Sequence, residues 1–322
     1  MSTLTVYVLA RADDAGLLAL TPPPPGVRFV VGDGIEAFSD APAADVVFAC
    51  GVGRKLLEPL WERCTSVRWV HSRFAGLDGF LFPALVESAV PLTNGRGSFS
   101  RSLGEFVVAG LLYFAKDFTR MRRSQAAGSW DVFDVEELHG RTLGIVGYGD
   151  IGRAIAERAR PFGMRIVGLR RRPEREAAAD GLVDEVWPLS RLRELMATAD
   201  DIAVALPLTP DTHHLIGEAE IRALSPRAVF ANVGRGAVVD EPSLVRALEE
   251  KRIKGAVLDV FETEPLPKES PLWRLDNVLL SAHTADHTST WLADASGHFL
   301  ANLDRFRRGE PLLNLVDKRA GY

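Results

Sequence analysis

The chain has 322 residues, 47% of them hydrophobic and 25% charged, with a net charge of −5. That length suits about two globular domains, each large enough for its own core. The acidic balance speaks against a nucleic-acid binder, which carries a basic excess. The most apolar run, Phe106 to Ala115, is far too short to span a membrane. The N-terminus MSTLTVYVLARADD has neither the basic region nor the long apolar stretch of a signal peptide. Cys50 and Cys64 stand in no motif. The expectation is a soluble cytoplasmic protein with two buried, chemically idle thiols.

In chain order, LTVYVLA (4–10), VRFVVG (27–32), DVVFACG (45–51) and VRWVHSRF (67–74) read as strands, with a helix over 54–64. PPPP at 22–25 is a loop. A long helix is expected from Ser102, its apolar face built from Leu103, Phe106, Val107, Gly110, Leu111, Phe114, Phe118 and Met121 and its end at Gly128. A second strand series follows: TLGIVG (142–147), RIVGLR (165–170), DIAVALP (201–207), AVFANVG (228–234), KGAVLDV (254–260) and NVLLSAH (277–283). These nearly continuous apolar runs suit parallel strands buried on both faces. With helices between most of them, they predict an α/β fold with doubly wound parallel sheets. A last helix at about 288–307 comes after that sheet is complete.

Gly147-Tyr148-Gly149-Asp150-Ile151-Gly152 is G-x-G-x-x-G, placed between a strand and a helix as dinucleotide binding requires. The first glycine makes the turn, the second admits a pyrophosphate, and the third lets helix and strand pack; the anion then sits on the helix N-terminus. About 20 residues beyond, an NAD enzyme places an acid for the ribose 2′-hydroxyl. Here the strand ends in Arg170, Arg171 and Arg172, and the nearest acid is Glu174, beyond Pro173. Guanidinium forks suit a phosphate. The expectation is NADP(H) as preferred cofactor, with NAD(H) as the second choice. Arg170 and Arg171 are favoured for the 2′-phosphate.

Three further segments, NVGRGAVVDE (232–241), LDVFETEP (258–265) and NVLLSAHTADHT (277–288), each follow a strand of this series. Ligands bind beyond the carboxyl ends of such strands, which brings Arg235, Asp259, Glu264 and His283 toward one place. In this order and spacing, with VRWVHSRFAGLD near residue 70, the chain resembles the D-isomer-specific 2-hydroxyacid dehydrogenase family over nearly its whole length.

The resemblance implies two Rossmann-like domains with the active site in the cleft between them. Residues 1–101 with 288–322 form the substrate domain and 102–287 the cofactor domain, whose entry helix builds a homodimer. By the same resemblance, Arg235 binds the carboxylate of a small 2-oxoacid, His283 donates the proton, and Glu264 orients His283. Asp259 binds the nicotinamide carboxamide, with Leu206, Pro207 and Val233 also on the cofactor. Ala75 and Gly76 grip the carboxylate through backbone N–H groups.

Singly, Glu264 has an ordinary structural explanation as a loop acid and Asp259 as a strand end, whereas Arg235, between two glycines, is hard to explain by packing alone. Two departures stand out. Asp286, in place of a small residue, faces the substrate side chain, to bind a hydroxyl or repel a second carboxylate. Arg73 either adds positive charge at the mouth of the site or faces water. His287 follows His283 at a metal half-site spacing, but the strand-like setting argues against a metal. The remaining histidines, His71, His139, His213, His214 and His298, carry no assigned chemistry. The function expected is reduction of glyoxylate, hydroxypyruvate or pyruvate to the D-2-hydroxyacid. The alternatives are a phosphoglycerate-type dehydrogenase and a dinucleotide-sensing protein like the corepressors built on this fold. A formate dehydrogenase, which pairs its histidine with glutamine, fits less well.

Overall fold

The computed structural model describes residues 3–171 and 181–322. The chain divides into two compact units, Met1–Phe99 with Thr288–Tyr322, and Ser100–His287.

In the first unit, β1 (Leu4–Leu9), β2 (Val27–Gly32), β3 (Val46–Ala49), β4 (Trp69–Ser72) and β5 (Leu92–Asn94) form a parallel sheet in the order β2-β1-β3-β4-β5. Alternation along the strands divides the apolar residues between two faces. Leu9, Val47 and Val70 join Leu56, Leu57 and Leu60 of α1 (Gly53–Leu60) in one cluster. Val6, Val8, Phe48 and Trp69 belong to another. The helix expected over 54–64 stops at Leu60 and tightens into a 3-10 turn at Trp61–Arg63. A short helix, α2 (Pro83–Glu87), precedes β5.

The second unit opens with α3 (Ser100–Ala115) and α4 (Phe118–Ala126). The single helix expected as far as Gly128 is therefore corrected to two. Asp117 between them is left-handed, with φ 51°, and its carboxylate accepts from Arg120 N at 3.1 Å. A short acidic side chain tolerates that conformation and caps the new helix, so the axis breaks although the apolar spacing runs on.

There follow β6 (Thr142–Val146), α5 (Asp150–Ala159), β7 (Arg165–Arg170), β8 (Glu185–Pro188), α6 (Leu192–Thr198), β9 (Asp201–Val204), α7 (Glu218–Arg222), β10 (Val229–Asn232), α8 (Glu241–Glu249), β11 (Gly255–Leu258) and β12 (Val278–Leu280). The strands form one parallel sheet in the order β12-β11-β10-β9-β6-β7-β8. Strand order reverses between β6 and β9, and a crevice opens there at the carboxyl ends. At the amino ends, the buried Asp201 is gripped by Arg141 through two hydrogen bonds of 2.8 and 2.9 Å.

The last helix, α9 (Trp291–Arg308), returns to the first unit. Phe299 stacks on Phe48 at 4.1 Å and on Trp69 at 5.4 Å. Burial of each phenylalanine ring contributes about 1.5–3 kcal/mol. Among the described residues no helix is long and apolar enough to cross a membrane.

Candidate active site

The glycine loop fills the crevice of the second unit. Gly147 has φ +102°, and a Cβ there would lie 2.7 Å from Ala205 O; one at Gly152 would lie 2.5 Å from Gly147 O. Protein packing demands both glycines. At Gly149 an added Cβ would meet nothing within 4 Å. Here the protein leaves open ground beside the N-terminus of α5, whose N–H groups suit a diphosphate. Gly149 supplies no side-chain cap. Ile151 lies in the first turn of α5. Tyr148 is buried, its ring against Gly168, so toward a ligand it offers backbone alone. Asp150 is bonded to Ser100 on α3. The residues present fit a dinucleotide.

Arg170 ends β7 and is partly buried, while Arg171 follows it, exposed. Arg172 lies outside the described residues. After β9, Leu206 packs on Gly234, where a Cβ would lie 2.6 Å from Leu206 O; Pro207 O accepts from Thr212 Oγ1 at 2.7 Å. Val233 is buried and its N–H bonds Val204 O at 3.0 Å.

Beyond β10, Asn232 shapes the arginine turn. Its Oδ1 accepts from Gly234 N at 3.0 Å and its Nδ2 donates to Arg235 O at 3.1 Å. Arg235 donates to Gly234 O at 2.8 Å and is half-buried. Beyond β11, the buried Asp259 organises the histidine loop. Its Oδ1 accepts from Ser281 Oγ at 2.6 Å, Thr284 N at 2.9 Å and Ala285 N at 3.0 Å. Its carbonyl accepts from His283 N at 2.9 Å. His283 is not in a strand: β12 ends at Leu280, and His283 is left-handed with φ 54°. Such backbone strain persists only where the surroundings impose it, and the bonds to Asp259 do so.

His283 Nδ1 lies 2.7 Å from Glu264 Oε2, and Glu264 Oε1 accepts from Phe261 N at 2.9 Å. Thus Arg235, Asp259, Glu264 and His283 all stand at the carboxyl-end loops of one sheet, and His283 meets Glu264 directly. Asp286 is on the same loop. Burial pushes its carboxyl above the usual carboxylate range, with the Asp259 charge adding and His287 and His283 opposing. Its Oδ1 is buried without a hydrogen-bond partner, His287 Nε2 lying 3.8 Å away. Among the described residues no group of three metal-binding side chains comes together.

In the first unit, the loop after β4 turns its carbonyls back onto the end of β5. Phe74 O accepts from Gly95 N at 3.2 Å and Ala75 O from Asn94 Nδ2 at 2.7 Å. Among the described residues the N–H groups of Ala75 and Gly76 have no partner, so both remain available to an anion. Arg73 does not face water. Its side chain is 5% exposed and donates to Asp14 at 2.8 Å, with the Phe74 and Trp291 rings against it. Holding that guanidinium beside it keeps the Asp14 carboxyl below its ordinary pKa against the opposing effect of burial.

His71 is a core residue. Burial pushes its pKa down to about 3, and its Nδ1 lies 2.7 Å from Thr93 Oγ1. Both cysteines are free and buried, and burial raises the Cys50 thiol to about 12 and the Cys64 thiol to about 11. Sequence reasoning missed Asn94, Ser281 and Asp14. Each acts through a backbone or side-chain partner that only the folded chain supplies.

The chain matches known proteins over most of its length. Residues 108–285 match the family described as D-isomer specific 2-hydroxyacid dehydrogenase, NAD binding domain. The glyoxylate reductase of Korarchaeum cryptofilum is 35% identical over 272 residues, 80% of this chain and 79% of that protein. The glyoxylate/hydroxypyruvate reductase B of an Enterobacter species is 35% identical over 276 residues, 83% of each. The crystal structure of a D-isomer specific 2-hydroxyacid dehydrogenase from Xanthobacter autotrophicus, in complex with NADPH and MES, is 30% identical and superposes with a TM-score of 0.84 over 100% of each chain. A nucleotide loop built around Gly149, a histidine seated on a carboxylate and relatives matched along four-fifths of the chain lead to one assignment: the protein belongs to the D-isomer specific 2-hydroxyacid dehydrogenase family, as an NAD(P)-dependent oxidoreductase.

Proposed function

We propose that the protein is an NADP(H)-preferring reductase of small 2-oxoacids, glyoxylate, hydroxypyruvate or pyruvate, yielding the D-2-hydroxyacid, with NAD(H) as a poorer cofactor. The observation that carries this reading is the 2.7 Å contact of His283 Nδ1 with Glu264. A carboxylate there accepts from Nδ1–H and favours the imidazolium, leaving Nε2–H to protonate the ketone oxygen. Arg235 holds the substrate carboxylate and polarises the carbonyl. The N–H groups of Ala75 and Gly76 also serve a carboxylate, while Arg73, its charge offset by Asp14 at 2.8 Å, braces the loop from behind. Gly147–Gly152 would hold the dinucleotide's diphosphate and Arg170 with Arg171 its 2′-phosphate. Asp259, Leu206, Pro207 and Val233 lie on the nicotinamide side. The bound dinucleotide supplies the hydride.

Asp286 ranks the substrates in this reading. Its carboxylate, 20% exposed, suits a substrate hydroxyl, and its charge disfavours a second carboxylate. Steady-state oxidation of NADPH and NADH with glyoxylate, hydroxypyruvate, pyruvate, phenylpyruvate and oxaloacetate tests the whole. Expected is faster turnover with NADPH, hydroxypyruvate ahead of pyruvate, and oxaloacetate slowest, with Asp286→Asn narrowing that last gap. Tight binding of NADPH without turnover of any 2-oxoacid makes the protein a dinucleotide sensor instead.

The working unit in this proposal is a homodimer. Trp130 is 96% exposed and Val132 82%, with Val135, Phe118 and Met121 also exposed along the same segment. Apolar exposure concentrated in one segment suits a protein interface. Light scattering is expected to give twice the chain mass of 35.2 kDa, and Trp130→Arg with Val132→Arg to halve it. A wild-type mass of one chain removes the dimer.

A further inference from the structure

The turn that carries Glu264 is held by groups that the reaction itself does not use. Phe261 N closes onto Glu264 Oε1 at 2.9 Å, and the next N–H, that of Glu262, donates to Glu241 Oε2 at 2.9 Å. The Glu262 side chain reaches the other way, its Oε1 2.9 Å from His214 Nε2. His214 is itself left-handed, with φ 48°, and its N–H bonds Ala237 O at 2.8 Å. A Cβ on Gly236 would lie 1.8 Å from the Phe261 carbonyl carbon, so the arginine turn and the glutamate turn touch backbone to backbone. Among the described residues, Glu241, the first residue of α8, is the side chain that these hydrogen bonds place on the backbone of the turn from outside it.

We propose that Glu241 is a positioning residue for the general acid: by accepting from Glu262 N–H it fixes the 261–264 turn, and so sets where the Glu264 carboxylate meets His283. This rests on the reading of His283 and Glu264 given above. The charged and titratable groups around the pair among the described residues include Glu241 on α8, Glu262 on the turn, His214 on the loop after β9, Asp259 beyond β11, and Asp286 and His287 on the histidine loop. Burial pushes the Glu241 carboxyl above its ordinary pKa, and the Glu262 and Glu264 charges add to this while the Glu262 N–H opposes it. That interaction is reciprocal: an ionised Glu241 raises the proton affinity of the Glu264–His283 pair. Position and charge therefore separate by substitution. Glu241→Gln keeps an acceptor oxygen and loses the charge; Glu241→Ala loses both.

The test measures kcat, KM and the pH–rate profile of both variants, with Glu264→Gln as reference. It also follows the His283 imidazole by NMR titration in cofactor-free protein. Displacing a catalytic group by about 1 Å costs on the order of 100-fold. Glu241→Ala is therefore expected to lower kcat about 10- to 100-fold with KM nearly unchanged, and Glu241→Gln to restore most of it. Both are expected to move the alkaline limb and the His283 titration to lower pH. Wild-type kcat and an unmoved titration in Glu241→Ala overturn the proposal. So does equal loss in both variants accompanied by lost cofactor binding, which makes Glu241 a structural helix residue. If Glu264→Gln has wild-type turnover, the general-acid reading fails; if Glu264→Gln is impaired and Glu241→Ala is not, only the present inference fails.

Discussion

Replacing His283 by Asn is expected to lower kcat by about 10²- to 10⁴-fold, the usual contribution of a positioned general acid, while NADPH binding is retained. Asparagine is the informative substitution because it tolerates the left-handed backbone that His283 adopts at φ 54°. The loop bonds from Thr284 and Ala285 to Asp259 then survive, and the loss reports the missing proton donor rather than a collapsed loop. Glu264→Gln gives the second half of the test. The carboxylate meets His283 Nδ1 at 2.7 Å and orients the ring, so its loss in Glu264→Gln is expected to lower kcat about 10- to 100-fold with KM nearly unchanged. Turnover of His283→Asn within tenfold of wild type excludes His283 as the donor.

Neutralising Arg170 and Arg171 together is expected to lower kcat/KM for NADPH about 10²- to 10⁴-fold and leave that for NADH within about threefold. Each hydrogen bond to a charged group contributes about 1.5–3 kcal/mol, or roughly 10- to 150-fold in affinity. The 2′-phosphate is the feature that distinguishes NADPH from NADH, so a loss confined to NADPH identifies its site. Electrostatic steering alone gives a different result. Both cofactors carry a diphosphate, and an exposed basic patch that merely attracts anions weakens both together, an effect that added salt reproduces. Equal loss for the two cofactors therefore returns Arg170 and Arg171 to the role of a solvated turn.

The parts of the fold readable from the sequence are those with a strong local pattern. Residues 142–146 and 165–170 are long apolar runs followed by a glycine loop and a charged end, and their strands and crevice emerge as expected. β5 and β8 do not announce themselves. Leu92–Asn94 is three residues long, and Glu185–Pro188 mixes an acid with a proline; both lie at sheet edges, where one neighbour suffices and alternation has no length to develop. The break at Asp117 is hidden because apolar spacing reports burial and not the continuity of the axis. In the site, Arg235, Glu264 and His283 were legible because their flanking residues repeat a family pattern. Asp259 was legible as a residue, while the three hydrogen bonds on its Oδ1 depend on a loop that begins 22 residues later. Glu241 and His214 had no such signal: they act on the backbone and side chain of Glu262, which neither periodicity nor composition reveals.

The return of α9 to the first unit has a consequence during synthesis. One face of the first sheet carries Val6, Val8, Phe48 and Trp69 and closes only when Phe299 and Leu303 arrive. Before residue 100, the connection from β1 to β2 offers that face no α-helix, only the single 3-10 turn Ala15–Leu20. The ribosome therefore makes the first five strands early and their cover last, with the whole second unit emerging in between. The second unit, contiguous from Ser100 to His287, holds every strand of its sheet before α9 exists. Domains fold as their residues emerge, so the nucleotide unit completes first although it is encoded second, and the nascent N-terminal sheet stays half-covered for nearly two hundred residues of translation.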